Sequence, residues 1–191
     1  MTQTFTFRPM QEADGPAVIQ LLWIIFLDME LPLLQELPHS AIQQLMLQSM
    51  QDDTYRYSPK RGVVVEQDGQ IAGAVFSYPG DEEPLIDQAF NQLAQATYQH
   101  PFVMFNDLET QPGEYYVDAL VVHPDFRGAG LGQQLLMQAK TAAVQSGYRR
   151  LDLNCDVNNP KARALYERLG FQPTEQRQLS GHWYDLMTFT F

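Results

Sequence analysis

The chain has 191 residues, of which 45% are hydrophobic, 12% aromatic and 18% charged, and its net charge is −11. This length suits one domain with a sizeable core, and so high an apolar content excludes disorder as the main state. The acidic balance argues against nucleic acid as a partner, because a nucleic-acid binder needs a basic face. The single cysteine, Cys155, excludes a disulfide framework and a multi-cysteine zinc site.

The first residues and the longest apolar run bear on targeting. Residues 1–9 lack a basic region followed by an apolar stretch, so we predict no signal peptide. The run Leu21–Leu27 is shorter than the roughly 20 residues that span a bilayer. The four histidines show no metal-ligand spacing. We therefore expect a cytoplasmic protein with no membrane partner and no metal.

Apolar spacing in the N-terminal half predicts a strand, two helices and a hairpin, in that order. The elements are a strand over Thr4–Arg8, a helix from Asp14 that ends before Pro32, a helix over Pro38–Met50, and a hairpin around Asp68-Gly69. Residues 80–113 then break the pattern, between two proline- and glycine-containing edges, and contain helical spacing. We interpret them as a helical insertion carried on a single domain that covers residues 1–191.

The C-terminal half has the most regular patterns. Glu114–Val122 is the clearest strand, and simple alternation places Tyr116, Asp118, Leu120 and Val122 on one face. The following elements are a helix from Leu131 to Gln145, a strand over Leu151–Cys155, a helix capped by Asn159 with Pro160 in its first position, and a hairpin around Ser180-Gly181. The last strand, Trp183–Phe191, alternates in a way typical of an edge strand or a dimer contact. This order predicts an α/β fold of layered α+β type around a mostly antiparallel sheet.

A glycine-rich loop, Arg127-Gly-Ala-Gly-Leu-Gly132, joins the clearest strand to the next helix. Glycines let a ligand approach the main chain, and a helix N-terminus offers free N–H groups and partial positive charge, so the loop predicts a pyrophosphate site. The alternative is a tight turn whose glycines serve packing. Gln133 after Gly132 excludes a Walker A loop, whereas Asp152 leaves a dinucleotide-binding unit open although the glycine spacing fits it poorly.

A second motif follows about 30 residues later and, together with the loop, resembles the GNAT superfamily of N-acetyltransferases. The matching positions are Asn159, Ala162, Leu165, Tyr166, Gly170 and Phe171. The resemblance is strongest over residues 114–171 and weakest over residues 28–60 and 80–113. It implies a mixed, mostly antiparallel sheet with helices on both faces, and acetyl-CoA as co-substrate without a metal.

The resemblance also implies where acetyl-CoA binds. In the family it lies in a V-shaped gap between two parallel strands, here Glu114–Val122 and Leu151–Cys155. The residues so implied are Leu120, Val121 and Val122 for pantetheine, Arg127, Gly128, Ala129, Gly130, Leu131 and Gly132 for the pyrophosphate, and Asn159 and Tyr166 along the other wall.

The implied reaction is direct attack of a primary amine, on a small molecule or a peptide, on the thioester of acetyl-CoA. Tyr166 is the expected proton donor to the leaving thiolate, with simple core packing as its alternative role. Asp118 is the candidate base, with Glu114 and Tyr116 as rivals, because an ionisable group in an apolar strand needs a reason. The alternative is that Asp118 only holds a cationic or main-chain partner.

Two other functions remain open at this level. One is a non-catalytic module that binds or senses acyl-CoA on the same fold, and the other is an unrelated nucleotide-binding α/β domain. We expect the acceptor to be selected by the two N-terminal helices, the 80–113 insertion and the C-terminal hairpin. The acidic charge favours a cationic acceptor by electrostatic steering. A homodimer stays open.

Overall fold

The computed structural model describes residues 4–29 and 31–191, and its elements follow the predicted order. They are β1 (Thr6–Pro9), α1 (Gly15–Asp28), α2 (Leu33–Glu36), α3 (His39–Ser49), β2 (Gly62–Gln67), β3 (Gln70–Pro79), α4 (Glu83–Ile86), α5 (Gln88–Tyr98), β4 (Tyr115–Val122), α6 (Leu131–Gln145), β5 (Arg150–Asp156), α7 (Pro160–Arg168), β6 (Gln172–Leu179) and β7 (His182–Thr190). None of these helices has the length and hydropathy of a membrane span. The predicted α/β fold is confirmed.

One seven-stranded sheet organises the chain, in the order β1-β2-β3-β4-β5-β7-β6. Every neighbouring pair is antiparallel except β4 and β5, which are parallel. The expectation that the last strand lies at an edge is wrong, because β7 pairs with β5 on one side and with β6 on the other. Alternation reports only the two faces of a strand, so it does not distinguish an internal strand from an edge strand.

Helices cover both faces of this sheet, as predicted. On one face α1, α3 and α5 enclose an apolar cluster that includes Phe26, Met46 and Phe90. On the other face α6 packs on the sheet through side chains such as Leu135 and Leu136. Residues 80–113 contribute to the first cluster through Phe90 and Ala94 of α5 and through Phe102 and Met104 of the coil after it.

Strand β4 carries a β-bulge at Asp118. Ala119 pairs with Phe76 of β3 and Val117 pairs with Ser77, so Asp118 has no residue opposite it. An extra residue in one strand reverses the facing of every side chain beyond it. The alternation predicted across Asp118 is therefore wrong: Leu120 packs toward α6, on the opposite face from Asp118.

Candidate active site

The two parallel strands, β4 and β5, diverge over most of their length. A single register pair, Tyr116 with Asp152, joins them in the described part of the chain. Beyond it a cleft of about 610 Å³ opens between the strands. Main-chain N–H and C=O groups of a strand are costly to leave unpaired, so this gap is suited to a ligand with amide groups of its own.

The hydrogen-bond pattern shows which residues of β4 face the gap. The His123 N–H donates to the Ala72 carbonyl of β3, at 2.9 Å. Because main-chain groups alternate in direction along a strand, those of Val121 also point to β3, and those of Leu120 and Val122 point to the gap. Of the three predicted pantetheine contacts, only Leu120 and Val122 therefore direct main-chain groups into the gap, and the Val122 carbonyl also accepts from Arg127.

The loop after β4 has the geometry of an anion cradle. Gly128 and Gly130 have φ values of 83° and 76°, which side-chain-bearing residues rarely adopt, and no atom lies within 4 Å of a Cβ at either. Gly132 lies inside α6, and a Cβ there would make only an ordinary 3.8 Å contact with Leu165. Packing therefore explains none of these three glycines, and backbone conformation does not explain Gly132.

The remaining loop residues frame the free N–H groups at the start of α6. Ala129 has only a methyl side chain and is exposed, and the Leu131 side chain is buried in the core beneath α6. The polar groups that these two residues offer to a ligand are therefore those of the main chain. The exposed Arg127 donates from Nε to the Val122 carbonyl at 3.3 Å and lines the cleft. Within residues 4–29 and 31–191 Arg127 forms no ion pair, which leaves its charge available to an anion.

Helix α7 forms the opposite wall of the cleft. Asn159 caps it as predicted, with Oδ1 accepting from the Ala162 N–H at 3.0 Å. Tyr166 lines the cleft from the same helix, and burial raises its pKa above the usual value, so the hydroxyl stays protonated at neutral pH. That hydroxyl makes no hydrogen bond with any residue described in the structure.

Cys155 lies beside Tyr166 in β5 and is buried. Burial raises the pKa of its thiol to about 11. A thiol that stays protonated at neutral pH is a poor nucleophile, so burial favours a packing role for Cys155 over the formation of a covalent acyl intermediate on its sulfur.

The far end of the cleft is bounded by three of the predicted segments. Its walls come from the end of α1, from the coil at residues 105–109 and from the tip of the β6–β7 hairpin. Asp107 ties two of these together, because its Oδ2 accepts from the Ser180 N–H at 2.6 Å. The other N-terminal helix, α3, contributes none of the described lining residues, which differs from the prediction.

The carboxylate of Asp118 binds the guanidinium of Arg56 at this end of the cleft. Its Oδ1 accepts from Arg56 Nη1 and from the Tyr78 hydroxyl, each at 2.7 Å, and its side chain is 2% exposed. Arg56 also binds Asp87 through two hydrogen bonds of 2.8 Å. This is the alternative in which Asp118 serves a cationic partner. The two rival bases are also engaged, because Glu114 pairs with Arg177 and the Tyr116 hydroxyl is bonded to another carboxylate.

That carboxylate is Glu109, which sequence reasoning missed. Its Oε2 accepts from the Tyr116 hydroxyl at 2.7 Å, its Oε1 lies 3.8 Å from Arg56 Nη1, and it lines the cleft. Burial, followed by the negative charge of Asp118, raises the pKa of Glu109 to about 7. Glu109 lies in coil, where no periodic pattern marks a residue, and only its place among acidic neighbours at the end of the insertion distinguishes it in the sequence.

The described residues contain no cluster of three or more His, Cys, Asp or Glu side chains placed to hold a metal ion. The groups around the cleft include the phenols of Tyr116, Tyr166 and Tyr184, whose pKa values burial raises, together with several carboxylates, the buried guanidinium of Arg56 and main-chain amides.

Comparison with known proteins shows what the chain is similar to. The profile of the acetyltransferase (GNAT) family matches residues 25–171. The crystal structure of an acetyltransferase is 34% identical in sequence, with a TM-score of 0.86 over 97% of this chain and 98% of that one. An N-acetyltransferase from Staphylococcus aureus Mu50 is 26% identical, with a TM-score of 0.85 over 96% of this chain and 100% of that one.

Among curated sequences, the N-alpha-acetyltransferase MAK3 of Arabidopsis thaliana is 41% identical over 56 residues, which are 29% of this chain and 30% of that protein. The chain spans at most 63% of the length of the first curated relatives that it matches.

Proposed function

This chain belongs to the acetyltransferase (GNAT) family, and on that premise we propose that it transfers an acetyl group from acetyl-CoA to a primary amine of a small molecule or a peptide. The observation that carries the proposal is the gap between β4 and β5, which opens directly onto the glycine loop at the start of α6. An elongated ligand with amides in its middle and a diphosphate at one end matches both parts.

The chemistry of the lining residues supports acetyl-CoA as the ligand. The gap-facing main-chain groups of Leu120 and Val122 suit the pantetheine amides, and the N–H groups between Gly128 and Gly132 suit the diphosphate together with Arg127. Gly132 supports this fit most directly, since neither the fold nor the backbone conformation requires a glycine there. Asn159 and Tyr166 complete the wall on the α7 side.

The chemistry needs a neutral amine and a protonated donor. The amine nitrogen attacks the thioester carbonyl carbon, a C–N bond forms, and the C–S bond breaks with its electron pair leaving on sulfur. We assign to Tyr166 the role of donating a proton to that sulfur, because burial keeps its hydroxyl protonated. An ammonium of ordinary pKa must first lose a proton, so a base has to lie at the acceptor end.

Carboxylates at that end favour a cationic acceptor. Five carboxylates line the cleft there: Asp28, Asp107, Glu109, Asp118 and Asp156. The buried guanidinium beside them is that of Arg56. Asp28 is the last residue of α1, where the helix dipole also favours a positive charge. A buried amide oxygen, Asn154 Oδ1, has no partner among the described residues and suits an N–H donor such as an amine.

The test is a screen of amines for release of free CoA. The panel contains monoamines, diamines, lysine peptides and peptides with free N-termini, each at low and high salt. We expect turnover with a cationic amine that weakens as salt rises, because salt screens the carboxylates. Binding of acetyl-CoA without turnover on any amine would instead favour the acyl-CoA-sensing alternative.

A further inference from the structure

We infer that Glu109, supplied by the 80–113 insertion, accepts the proton from the acceptor ammonium, and that Arg56 and Asp118 position it without touching the substrate. This inference rests on the proposed function and assigns a catalytic residue that the family's motifs do not mark in this chain. It replaces the prediction that Asp118 itself is the base.

The main chain of Glu109 is fixed from both sides by side chains. Glu83 of α4 is buried and accepts from the Glu109 N–H and from the Thr110 N–H, each at 2.8 Å. The Glu109 carbonyl accepts from Arg177 Nη1 at 2.7 Å and from Asn154 Nδ2 at 3.0 Å. A coil residue held in this way has the defined position that proton transfer demands.

The Glu109 carboxylate is oriented as well as buried. Tyr116 donates its hydroxyl hydrogen to Oε2, and Asn154 Nδ2 donates to the Tyr116 oxygen at 3.1 Å. Oε1 of Glu109 is 3.8 Å from Arg56 Nη1, which is too far for a direct hydrogen bond. The Glu109 side chain is 14% exposed and lines the cleft. One oxygen of Glu109 is therefore fixed by a donor, and the other has room for a substrate proton.

Asp118 is more enclosed than Glu109. Its Oδ1 already accepts from two donors, and its side chain is 2% exposed. Two of its hydrogen-bonding directions are thus taken by Arg56 and Tyr78, which anchors the carboxylate to the protein. Asp118 does bring negative charge close to Glu109, and that charge makes Glu109 the better proton acceptor.

The proton balance is simple. Glu109 takes one proton from the ammonium, which leaves a lone pair for attack on the thioester carbon. The departing sulfur takes a proton from the Tyr166 hydroxyl. The nitrogen of the new amide loses a second proton, and that proton restores the Tyr166 hydroxyl. The net reaction releases one proton to solvent, and Glu109 returns to its carboxylate by losing its proton along the cleft.

The titration of Glu109 reflects every charged or titratable group packed around it. Burial, Asp118 and Glu83 raise its pKa, and Arg56 and the hydrogen bond from Tyr116 lower it. The facing groups, from all surrounding elements, are Arg56, Tyr57, Tyr78, Glu83, Asp87, Tyr116, Asp118, Arg177 and Tyr184. The net result is a base that ionises close to neutral pH.

The experiment is the pH profile of kcat/KM, with the best amine of the screen, for wild type, Glu109→Gln and Asp118→Asn. For wild type we expect a rising limb near pH 7. Glu109→Gln is expected to lose about 100-fold or more in kcat and to lose that limb, while its acetyl-CoA affinity stays within twofold. Asp118→Asn is expected to keep turnover, with the limb moved to lower pH, because a charge that raises the pKa of Glu109 has gone.

Two comparisons protect the interpretation. Glu36→Gln, at an exposed position of α2, makes the same chemical change at a residue that does not line the cleft and is expected to leave the profile unaltered. Arg56→Lys keeps the positive charge but loses the two-point contact with Asp87. We expect this variant to retain most of the wild-type kcat/KM and to show the rising limb of its pH profile at a different pH. If Asp118→Asn does not fold, the kcat and the pH profile of Glu109→Gln alone test whether Glu109 is the base.

Three outcomes separate the claims. A Glu109→Gln enzyme with near-normal kcat and an unchanged limb overturns the assignment of Glu109. A folded Asp118→Asn enzyme that binds acetyl-CoA but is inactive at every pH overturns the positioning role and restores Asp118 as the base. A wild-type protein that neither binds acetyl-CoA nor acetylates any amine overturns the proposed function, and this inference with it.

Discussion

Arg56 and Asp118 form an ion pair of 2.7 Å across a separation of 62 residues, and 2% of each side chain is exposed. The pair joins the coil before β2 to the bulge of β4, so it fixes the point at which β4 leaves its regular pairing with β3. Asp87 neutralises the same guanidinium from the insertion. The contact therefore joins three segments of the chain: the coil before β2, the bulge of β4 and the insertion.

Removing this cation is expected to be costly. Arg56→Met leaves the buried carboxylate of Asp118 and the half-buried carboxylate of Asp87 without their guanidinium partner, and we expect the free energy of unfolding to fall by about 3–5 kcal/mol. Chemical denaturation measures the loss. Lys60→Met removes one partner of the exposed pair with Asp53 and serves as the control, with a change below about 1 kcal/mol. Equal losses in the two variants would show that the buried pair has no special structural role.

Glu109 makes folding stability depend on pH in a defined window. Its pKa is raised from an ordinary 4.5 to about 7 in the folded state, so folding disfavours its charged form. The stability that this group contributes is complete below pH 4.5 and is lost as the pH rises through 7. Relative to Glu109→Gln, wild type is expected to lose at most on the order of 3 kcal/mol across that window. Parallel stability curves for the two proteins would contradict this.

Gly132→Ala separates ligand approach from folding. We expect stability to stay the same or rise by up to about 1 kcal/mol, since alanine favours helix and meets only Leu165 at 3.8 Å. Acetyl-CoA affinity, measured by calorimetry, is expected to fall at least tenfold. Gly128→Ala is the comparison, and its positive φ is expected to cost about 1–2 kcal/mol of stability as well. Unchanged affinity in Gly132→Ala would remove this glycine from the diphosphate site.

Tyr166→Phe tests the proton donor. It removes one oxygen that has no hydrogen-bond partner in the described residues, so folding and acetyl-CoA affinity are expected to change little. The value of kcat is expected to fall by about 100-fold, and stopped-flow detection of thiol release measures it. Tyr98→Phe, at the exposed end of α5, is the matched control. Full activity in Tyr166→Phe would leave this tyrosine with the core-packing role.

The local features of the site were predictable because short-range chemistry determines them. The Asn159 cap and the glycine loop depend on neighbours within a few residues, and both are present. The register of β4 depends instead on pairing with β3, so the bulge at Asp118 is invisible to a pattern of alternation. The same is true of β7, whose internal position follows from two partner strands.

The base could not be predicted for a related reason. Glu109 is important through contacts with Arg56, Tyr116 and Glu83, which lie in three other segments of the chain. Its own neighbours in sequence form coil without periodicity. Asp118 drew attention because it interrupts an apolar strand, and that interruption reflects its ion pair with Arg56.

The most direct measurement is a crystal structure of the protein soaked with acetyl-CoA. We predict that the pantetheine arm lies between β4 and β5, hydrogen-bonded to the main chain of Leu120 and Val122, with the diphosphate on the N–H groups of residues 128–132. A structure in which the two strands pair continuously, or in which the ligand binds elsewhere, would contradict this.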